Sequence, residues 1–381
     1  MNQGRRLPVI VLTGFLGSGK TTLLNRLLRD VRFEHTAVLI NEFGDVGLDH
    51  HLVQHSAERM VVLSGGCVCC AMREDVEGAL RELFERRDRG EIRPFERVVV
   101  ETTGLADPVP LLLTLNTFGL ARARLKTPSV ITTVDAVLGE RTISDFEESV
   151  RQIAAADVVM ITKVDRAEEE AVVTVCERIE AINPWCDVAL VDGRSAAGGD
   201  RLIEAVGGLE AGTCHHETVW RRNPRAAGIE WKAPHVADSD AGVDRTARSF
   251  AVVLEEPIDW GAFGVWLTLL LHRHGERVLR VKGLINVAGL RGPVAFHAAQ
   301  HMVHPPEHLE RWPTDDRQSR IVFIVLGLNP AAVLRSLKVF NGLAGRVADA
   351  SNLPSVKPAG AGGTLAGRPV RRPTAPSWVR G

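Results

Sequence analysis

The chain has 381 residues, 45% apolar and 24% charged, with 46 basic and 47 acidic side chains and a formal net charge of -1. That length and apolar content can bury one large core and one smaller one, so two domains are expected. The balanced charge, with no sustained basic run before the tail, gives no sign of nucleic-acid or anionic-membrane binding, and the longest apolar stretch, Phe263 to Leu271, is too short to span a bilayer.

Val9-Ile10-Val11-Leu12 reads as a buried strand, and Thr22 to Leu28 places Leu23, Leu24, Leu27 and Leu28 at helical spacing. Between them Gly14-Phe15-Leu16-Gly17-Ser18-Gly19-Lys20-Thr21 fits G-x-x-x-x-G-K-[ST], so the motif lies on the strand-loop-helix it requires. Gly14, Gly17 and Gly19 let the backbone N–H groups of the loop, Ser18 included, turn inward on phosphates at a helix N-terminus. Lys20 places its ammonium on the outer phosphates, Thr21 offers a hydroxyl to Mg²⁺, and Thr22 carries the site into the helix. The first apolar stretch leads straight into this loop instead of a small-residue cleavage site, so no export signal is visible.

Two further strand-like runs follow, Ala37-Ile40 and Val61-Leu63, each leading into a polar loop. The first loop contains Asn41-Glu42-Phe43-Gly44, and the second contains Gly65-Gly66-Cys67-Val68-Cys69-Cys70. Three thiols within four residues suit a soft metal such as Zn²⁺, Cu(I) or Co²⁺. A closed tetrahedral site needs a fourth ligand, and the candidates are Glu42 and the group Cys214, His215 and His216, a trio whose composition favours a solvated loop instead. An incomplete site favours exchange over storage. Packing cysteines or a redox pair are the alternatives. Six cysteines in a chain this long are too few and too unevenly placed for a disulfide framework, which favours a reducing cytoplasm. Cys176 and Cys186 read as packing residues.

After a helix-like stretch from Arg73 to Arg87, the strand Val98-Val99-Val100 ends in Glu101-Thr102-Thr103-Gly104. A carboxylate there meets the water shell of Mg²⁺, and the Gly104 N–H can touch a γ-phosphate. Leu105 stands where Ras-type enzymes carry a water-orienting Gln, so intrinsic hydrolysis is expected to be slow. The run Val130-Val134 precedes Val158-Val159-Met160-Ile161, which enters Thr162-Lys163-Val164-Asp165, a variant of an N-K-x-D base-reading loop. Asp165 can accept two hydrogen bonds from guanine N1–H and the 2-amino group, whereas adenine offers neither, and the Lys163 stem can cover the base. Thr162 stands in place of Asn. A helix from Glu168 to Ile182 leads to the strand Val188-Val191 and then Gly193-Arg194-Ser195-Ala196, which either backs the base or is an ordinary turn.

Alternating buried strands and helices predict an α/β fold, a mainly parallel sheet with helices on both faces, carrying its chemistry at the strands' carboxyl ends. This first domain is assigned to residues 1–212, followed by a polar linker at 213–248. Strands at Phe250-Leu254, Val278-Val287, Val294-His297 and Arg320-Leu326 and a helix at Trp260-His272 predict a smaller α+β domain at 249–346. Residues 347–381 are Pro/Gly/Arg-rich and read as a disordered tail. His50, His51, His297, His301, His304 and His308 read as surface or satisfied core histidines; His297 and His301 share strand parity, and His304 precedes Pro305-Pro306.

Taken in order, GFLGSGKTT, NEFGDVGLD, GGCVCC, ETTGLADP and TKVD closely resemble the CobW family of P-loop GTPases, which are metal chaperones. The resemblance extends to that family's C-terminal domain through Leu279-Arg280-Val281-Lys282-Gly283, the strand containing His297, Trp312-Pro313 and Ser319-Arg320, and so covers about residues 7 to 345. It implies a P-loop NTPase fold and Mg²⁺-GTP held at Gly17 to Thr22, with Lys20 and Glu101 catalytic and Glu101 near the Mg²⁺. It further implies guanine selection by Lys163 and Asp165, and Zn²⁺ or Co²⁺ cargo at Cys67, Cys69 and Cys70 with help from Glu42. The implied partners are GTP, a client metalloprotein or cofactor-biosynthesis enzyme, and a second copy of the chain in a nucleotide-dependent homodimer. Two departures stand out: Thr162, and the reduction of the family's inter-domain His-rich run to His215-His216 and a distant His235. The alternative function is a regulatory GTPase in which Cys67 to Cys70 sense redox state by forming a disulfide. An ATP-dependent kinase-like enzyme would leave Asp165 and the cysteines without a role.

Overall fold

The computed structural model describes residues 6–41, 60–63, 70–192, 247–312 and 316–341. Seven strands form one sheet: β1 (Val9–Gly14), β2 (Thr36–Asn41), β3 (Met60–Leu63), β4 (Arg97–Glu101), β5 (Ser129–Asp135), β6 (Val158–Thr162) and β7 (Asp187–Leu190). Their order is β3-β2-β4-β1-β5-β6-β7, and every neighbouring pair is parallel. Each predicted apolar run forms one of these strands, and the α/β expectation holds.

Near-continuous apolar strands are what a sheet covered on both faces requires, because alternate side chains point to opposite sides. Val9, Val11, Val98 and Val100 meet Leu80, Leu83, Phe84, Leu111 and Leu115 on one face. These partners come from α2 (Cys70–Asp88) and α3 (Val109–Thr117), with α4 (Gly119–Arg124) beside them. Ile10, Leu12, Val99 and Ile131 meet Leu23, Leu24 and Leu27 of α1 (Lys20–Leu28) on the other face. Helix α2 starts three residues before the predicted Arg73, so Cys70 is its first residue. The short helices α3, α4 and α5 (Gly139–Asp145) carry no separate signal in the apolar pattern, α3 being apolar nearly throughout, whereas α6 (Glu147–Ala155) is amphipathic and buries Ile153, Ala154 and Ala155. Helix α7 (Glu169–Ile182) lies where it is expected.

The second sheet is antiparallel: β8 (Ala247–Leu254), β9 (Val278–Ile285), β10 (Val294–Ala299), β11 (Met302–Val303), β12 (Glu307–His308) and β13 (Ser319–Leu326). Its order is β11-β10-β9-β13-β8, with β12 against β10. Strand β8 begins at Ala247, inside the stretch read as linker; the remainder of that stretch, Gly193 to Ala196 and the tail lie outside the described residues. Helices α8 (Trp260–His274) and α9 (Pro330–Asn341) cover one face, burying Phe263, Trp266, Leu267 and Leu337 against Phe250, Phe296 and Phe323. Each such fully buried large side chain contributes about 1.5–3 kcal/mol. Asp259 starts α8 by accepting from the Ala262 N–H at 2.7 Å.

The other face of this sheet lies on the first domain. Leu279, Ile324 and Leu326 join the core of α6 and α7. Beside them Asp157, in the turn between α6 and β6, takes the Val130 N–H at 2.8 Å and both Arg280 (2.5 Å) and Lys282 (2.7 Å) of β9. All three side chains are largely buried, and burial with the neighbouring Arg280 charge pulls the Lys282 ammonium below its usual range while Asp157 opposes this. Substituting Asp157 by Ala would strand two buried cations, and we expect a loss of about 3–5 kcal/mol. Urea unfolding checks it: a loss below about 1 kcal/mol would mean that the apolar contacts alone hold this seam.

Candidate functional site

The phosphate loop leaves the carboxyl end of β1, the strand between β4 and β5. Its path depends on positive φ at Gly14 (141°), Gly17 (71°) and Gly19 (97°). At Gly14 the constraint is also spatial, since a Cβ would collide with Thr133 Oγ1 and lie 2.8 Å from Ser18 Oγ. Those two hydroxyls hydrogen-bond each other at 2.6 Å. Neighbouring side chains occupy the loop's carbonyls. Lys20 Nζ donates to the Gly14 (2.9 Å) and Phe15 (3.2 Å) carbonyls, Lys163 Nζ to the Gly17 carbonyl (2.7 Å), and Thr162 Oγ1 to the Ser18 carbonyl (2.6 Å).

Glu101 ends β4 and is buried. Its Oε1 accepts from the Thr21 hydroxyl at 2.7 Å, which places a carboxylate and a hydroxyl oxygen side by side at the first turn of α1, next to Thr22. The loop beyond Glu101 is tied to β1 by the Thr102 hydroxyl, 2.8 Å from Thr13 Oγ1, and by the Thr102 N–H to the Leu12 carbonyl. Gly104 packs against Leu16 of the phosphate loop so closely that a Cβ there would lie 2.6–2.8 Å from it. Leu105 is 52% exposed.

The base-reading candidates follow β6. Lys163 has a left-handed backbone (φ 57°), and its ammonium pairs with Asp135 at 2.6 Å while reaching the phosphate loop. Asp165 sits in the single turn Val164–Arg166 that follows. The structure thus gathers Gly14, Gly17, Ser18, Gly19, Lys20, Thr21, Thr22, Glu101, Gly104, Thr162 and Lys163 around one loop, with Asp165 two residues beyond Lys163. Two participants carry no motif signal. Asp135 closes β5 and orients Lys163; Gln152 on α6 is fully buried and donates to the Gly104 and Ala106 carbonyls, both at 3.1 Å. An Asp at the carboxyl end of a buried strand beside β1 is a signal that could have found the first.

Glu42, Cys67 and Cys69 lie outside the described residues, as do Cys214, His215 and His216. Their flanks are placed. Asn41, at the end of β2, is the register partner of Leu63, at the end of β3, and Ile40 is the partner of Glu101. The chains leading to Glu42, to the cysteine run and to Glu101 therefore leave the same end of adjacent strands. Among the described residues, no three His, Cys, Asp or Glu are placed to hold a metal ion. Cys176 and Cys186 have thiols pushed up to about 12, chiefly by burial, which fits packing roles. In the second domain the strand parity of His297 and His301 does not bring them together: His301 packs on Gly275, whereas the His304 N–H donates to the His297 carbonyl at 2.9 Å and those two rings lie 6.1 Å apart.

The nucleotide-binding domain of the family described as CobW/HypB/UreG matches residues 8–189, and the cobalamin synthesis protein cobW C-terminal domain matches residues 247–341. The chain belongs to the CobW family of P-loop GTPases. Among its relatives, the zinc chaperone YjiA of Escherichia coli is 29% identical over 322 residues, covering 84% of this chain and 95% of that one. The zinc-regulated GTPase metalloprotein activator 1 of Schizosaccharomyces pombe is 34% identical over 184 residues, 46% of this chain and 44% of that one. The crystal structure of Zn(II)-bound YjiA GTPase superposes with a TM-score of 0.62 at 25% identity, covering 88% of this chain and 99% of that one. A triple mutant of YjiA in which a glutamate and two adjacent cysteines are replaced by alanine matches equally and is also Zn(II)-bound.

The Thr162 hydroxyl is a buried tie between the end of β6 and the phosphate loop, beside the more exposed one from Lys163. We expect Thr162→Val, which keeps the volume and removes the hydroxyl's bonds to the Ser18 (2.6 Å) and Val134 (3.3 Å) carbonyls, to weaken GTP binding about tenfold, or about 1.4 kcal/mol, and Thr162→Ser to restore it. Calorimetric titration with GTP decides the matter; affinity within twofold of wild type in the valine variant would refute the tie.

Proposed function

We propose that this GTPase is a cytoplasmic metallochaperone whose nucleotide state gates a thiolate metal site, with Zn²⁺ or Co²⁺ as cargo for a client metalloprotein or cofactor-biosynthesis enzyme. The observation that carries the reading is the shared end of β3, β2, β4 and β1, from which the chains toward the cysteines, Glu42, Glu101 and the phosphate loop all leave. A rearrangement driven by a γ-phosphate can then alter metal ligation directly. The zinc named for YjiA supports a metal cargo, and the soft-ligand chemistry of Cys67, Cys69 and Cys70, with Glu42 as the candidate fourth ligand, supports this ligand set; the YjiA mutant lacking a glutamate and two adjacent cysteines is still Zn(II)-bound, so zinc content alone does not test it.

In this reading the N–H groups at the start of α1 face the phosphates, while the Gly17 and Ser18 carbonyls are held from behind by Lys163 and Thr162. Lys20 exchanges its carbonyl partners for the outer phosphates. The Thr21 hydroxyl and Glu101 carboxylate form the hard oxygen pair that fits Mg²⁺, which when bound neutralises charge on the phosphates. Gly104 meets the γ-phosphate, Lys163 and Asp165 select guanine, and Thr162 braces the phosphate loop. Leu105 cannot orient water, so turnover by the chain alone stays below about 1 s⁻¹. Exposed Leu16, Leu105 and Phe146 beside these loops suit a second copy closing over GTP in a nucleotide-dependent homodimer.

A thiolate site is tested through Co²⁺, because bulk zinc content does not distinguish sulfur ligands from others. Wild-type protein should show thiolate-to-cobalt charge-transfer absorption, and replacing Cys67, Cys69 and Cys70 together by Ser should abolish it while GTP affinity survives. Retention of the absorption in the triple variant would place the thiolate ligand elsewhere, at Cys214 first. Absence of absorption in reduced wild-type protein, with a disulfide forming on oxidation, would favour the redox-sensing alternative.

A further inference from the structure

The loop between Glu101 and α3 is held from two sides. Gln152 binds the Gly104 and Ala106 carbonyls from α6. Asp107, three residues past Gly104, caps α3 through Oδ1 to the Val109 N–H (2.9 Å) and uses Oδ2 to accept from Arg151 of α6 (3.4 Å) and from Gln300 Nε2 (3.0 Å). Gln300 belongs to the other sheet, at the tight turn between β10 and β11. Its backbone is left-handed (φ 48°), a conformation that costs a residue with a Cβ roughly 1–3 kcal/mol, so the surrounding structure must hold it. Its N–H is anchored to the Val278 carbonyl at 2.8 Å. Helix α6, which carries Arg151 and Gln152, is in turn clamped at its end by Arg280, which donates to the Ala155 carbonyl and to Asp157.

We propose that Gln300 is a positioning residue for GTP hydrolysis: through Asp107 the C-terminal domain fixes the loop that presents Gly104 to the γ-phosphate. The inference rests on the reading of Gly104 under Proposed function. As held, the loop already lies against the phosphate loop, with Gly104 on Leu16 and Thr102 on Thr13. Gln300 therefore stabilises the arrangement that hydrolysis uses, and a client or second copy that shifts β10 and β11 would change the hydrolysis rate without touching nucleotide. GDP has no γ-phosphate, so its affinity does not depend on this contact.

The test uses the full chain with Mg²⁺-GTP, measuring kcat and GDP affinity in two variants. Asn suits a left-handed backbone but is one methylene too short to reach Asp107, so Gln300→Asn should lower kcat about threefold. Gln300→Glu sets a second carboxylate against Asp107 and should lower kcat about tenfold. GDP affinity should stay within twofold of wild type in both. Unchanged or raised kcat in both variants, or GDP affinity falling in parallel with kcat, would overturn the positioning role. Gly104→Ala serves as the control: wild-type turnover there would defeat the γ-phosphate reading and this inference with it. A slow Gly104→Ala beside unslowed Gln300 variants would defeat the positioning role alone.

Discussion

The nucleotide site depends on one constraint: a short, glycine-rich loop must hold its shape, and it does so because its carbonyls are occupied by side chains around it. The Gly14, Phe15, Gly17 and Ser18 carbonyls accept from Lys20, Lys163 and Thr162. The buried Gly14 and Ser18 carbonyls without their donors would each cost about 1–3 kcal/mol, so these donors fix the loop's shape. Two of the three donors come from the end of β6 and the loop after it, the candidate base-reading loop. The halves of the site are therefore mechanically one object, and Asp135 keeps it so by pairing with Lys163.

The same logic joins the two sheets. Helix α6 is the shared part: its side chains hold the loop after Glu101, and the turn after it carries Asp157, the acceptor for two buried cations of β9. A buried ion pair of this kind adds little stability over an apolar contact, but breaking it is costly. The C-terminal sheet is thus held in one register against the nucleotide domain, with Gln300 brought to Asp107.

What can be read from the residues follows from how local each signal is. The phosphate loop, Glu101 and the strands are continuous in sequence, and each is legible because a short buried strand running into such a motif carries its own structural context. Thr162 reads as a weakened base-reading motif, yet its hydroxyl reaches Ser18, a contact between residues 144 positions apart that no local pattern encodes. Gln152 and Gln300 are invisible for the same reason, since a polar residue on a short helix or in a turn acquires its role only from what the fold places opposite it, whereas Asp135 is marked by its place at the carboxyl end of a buried strand. The histidines of the second sheet show the converse, because strand parity pairs His297 with His301 while the turn after β10 delivers His304 instead. The cysteine run is legible as soft-metal chemistry from composition alone; its flanks at Leu63 and Cys70 are placed, and its ligand geometry lies outside the described residues.

If metal and γ-phosphate bias one equilibrium, linkage makes their coupling reciprocal. The direct measurement is the Zn²⁺ affinity of reduced protein by competitive titration, once with GDP and once with a non-hydrolysable GTP analogue, both with Mg²⁺. A shared equilibrium predicts a difference of about tenfold or more between the two nucleotide states, with the same factor recovered when analogue affinity is measured with and without Zn²⁺. Equal Zn²⁺ affinity within twofold in both states would contradict it.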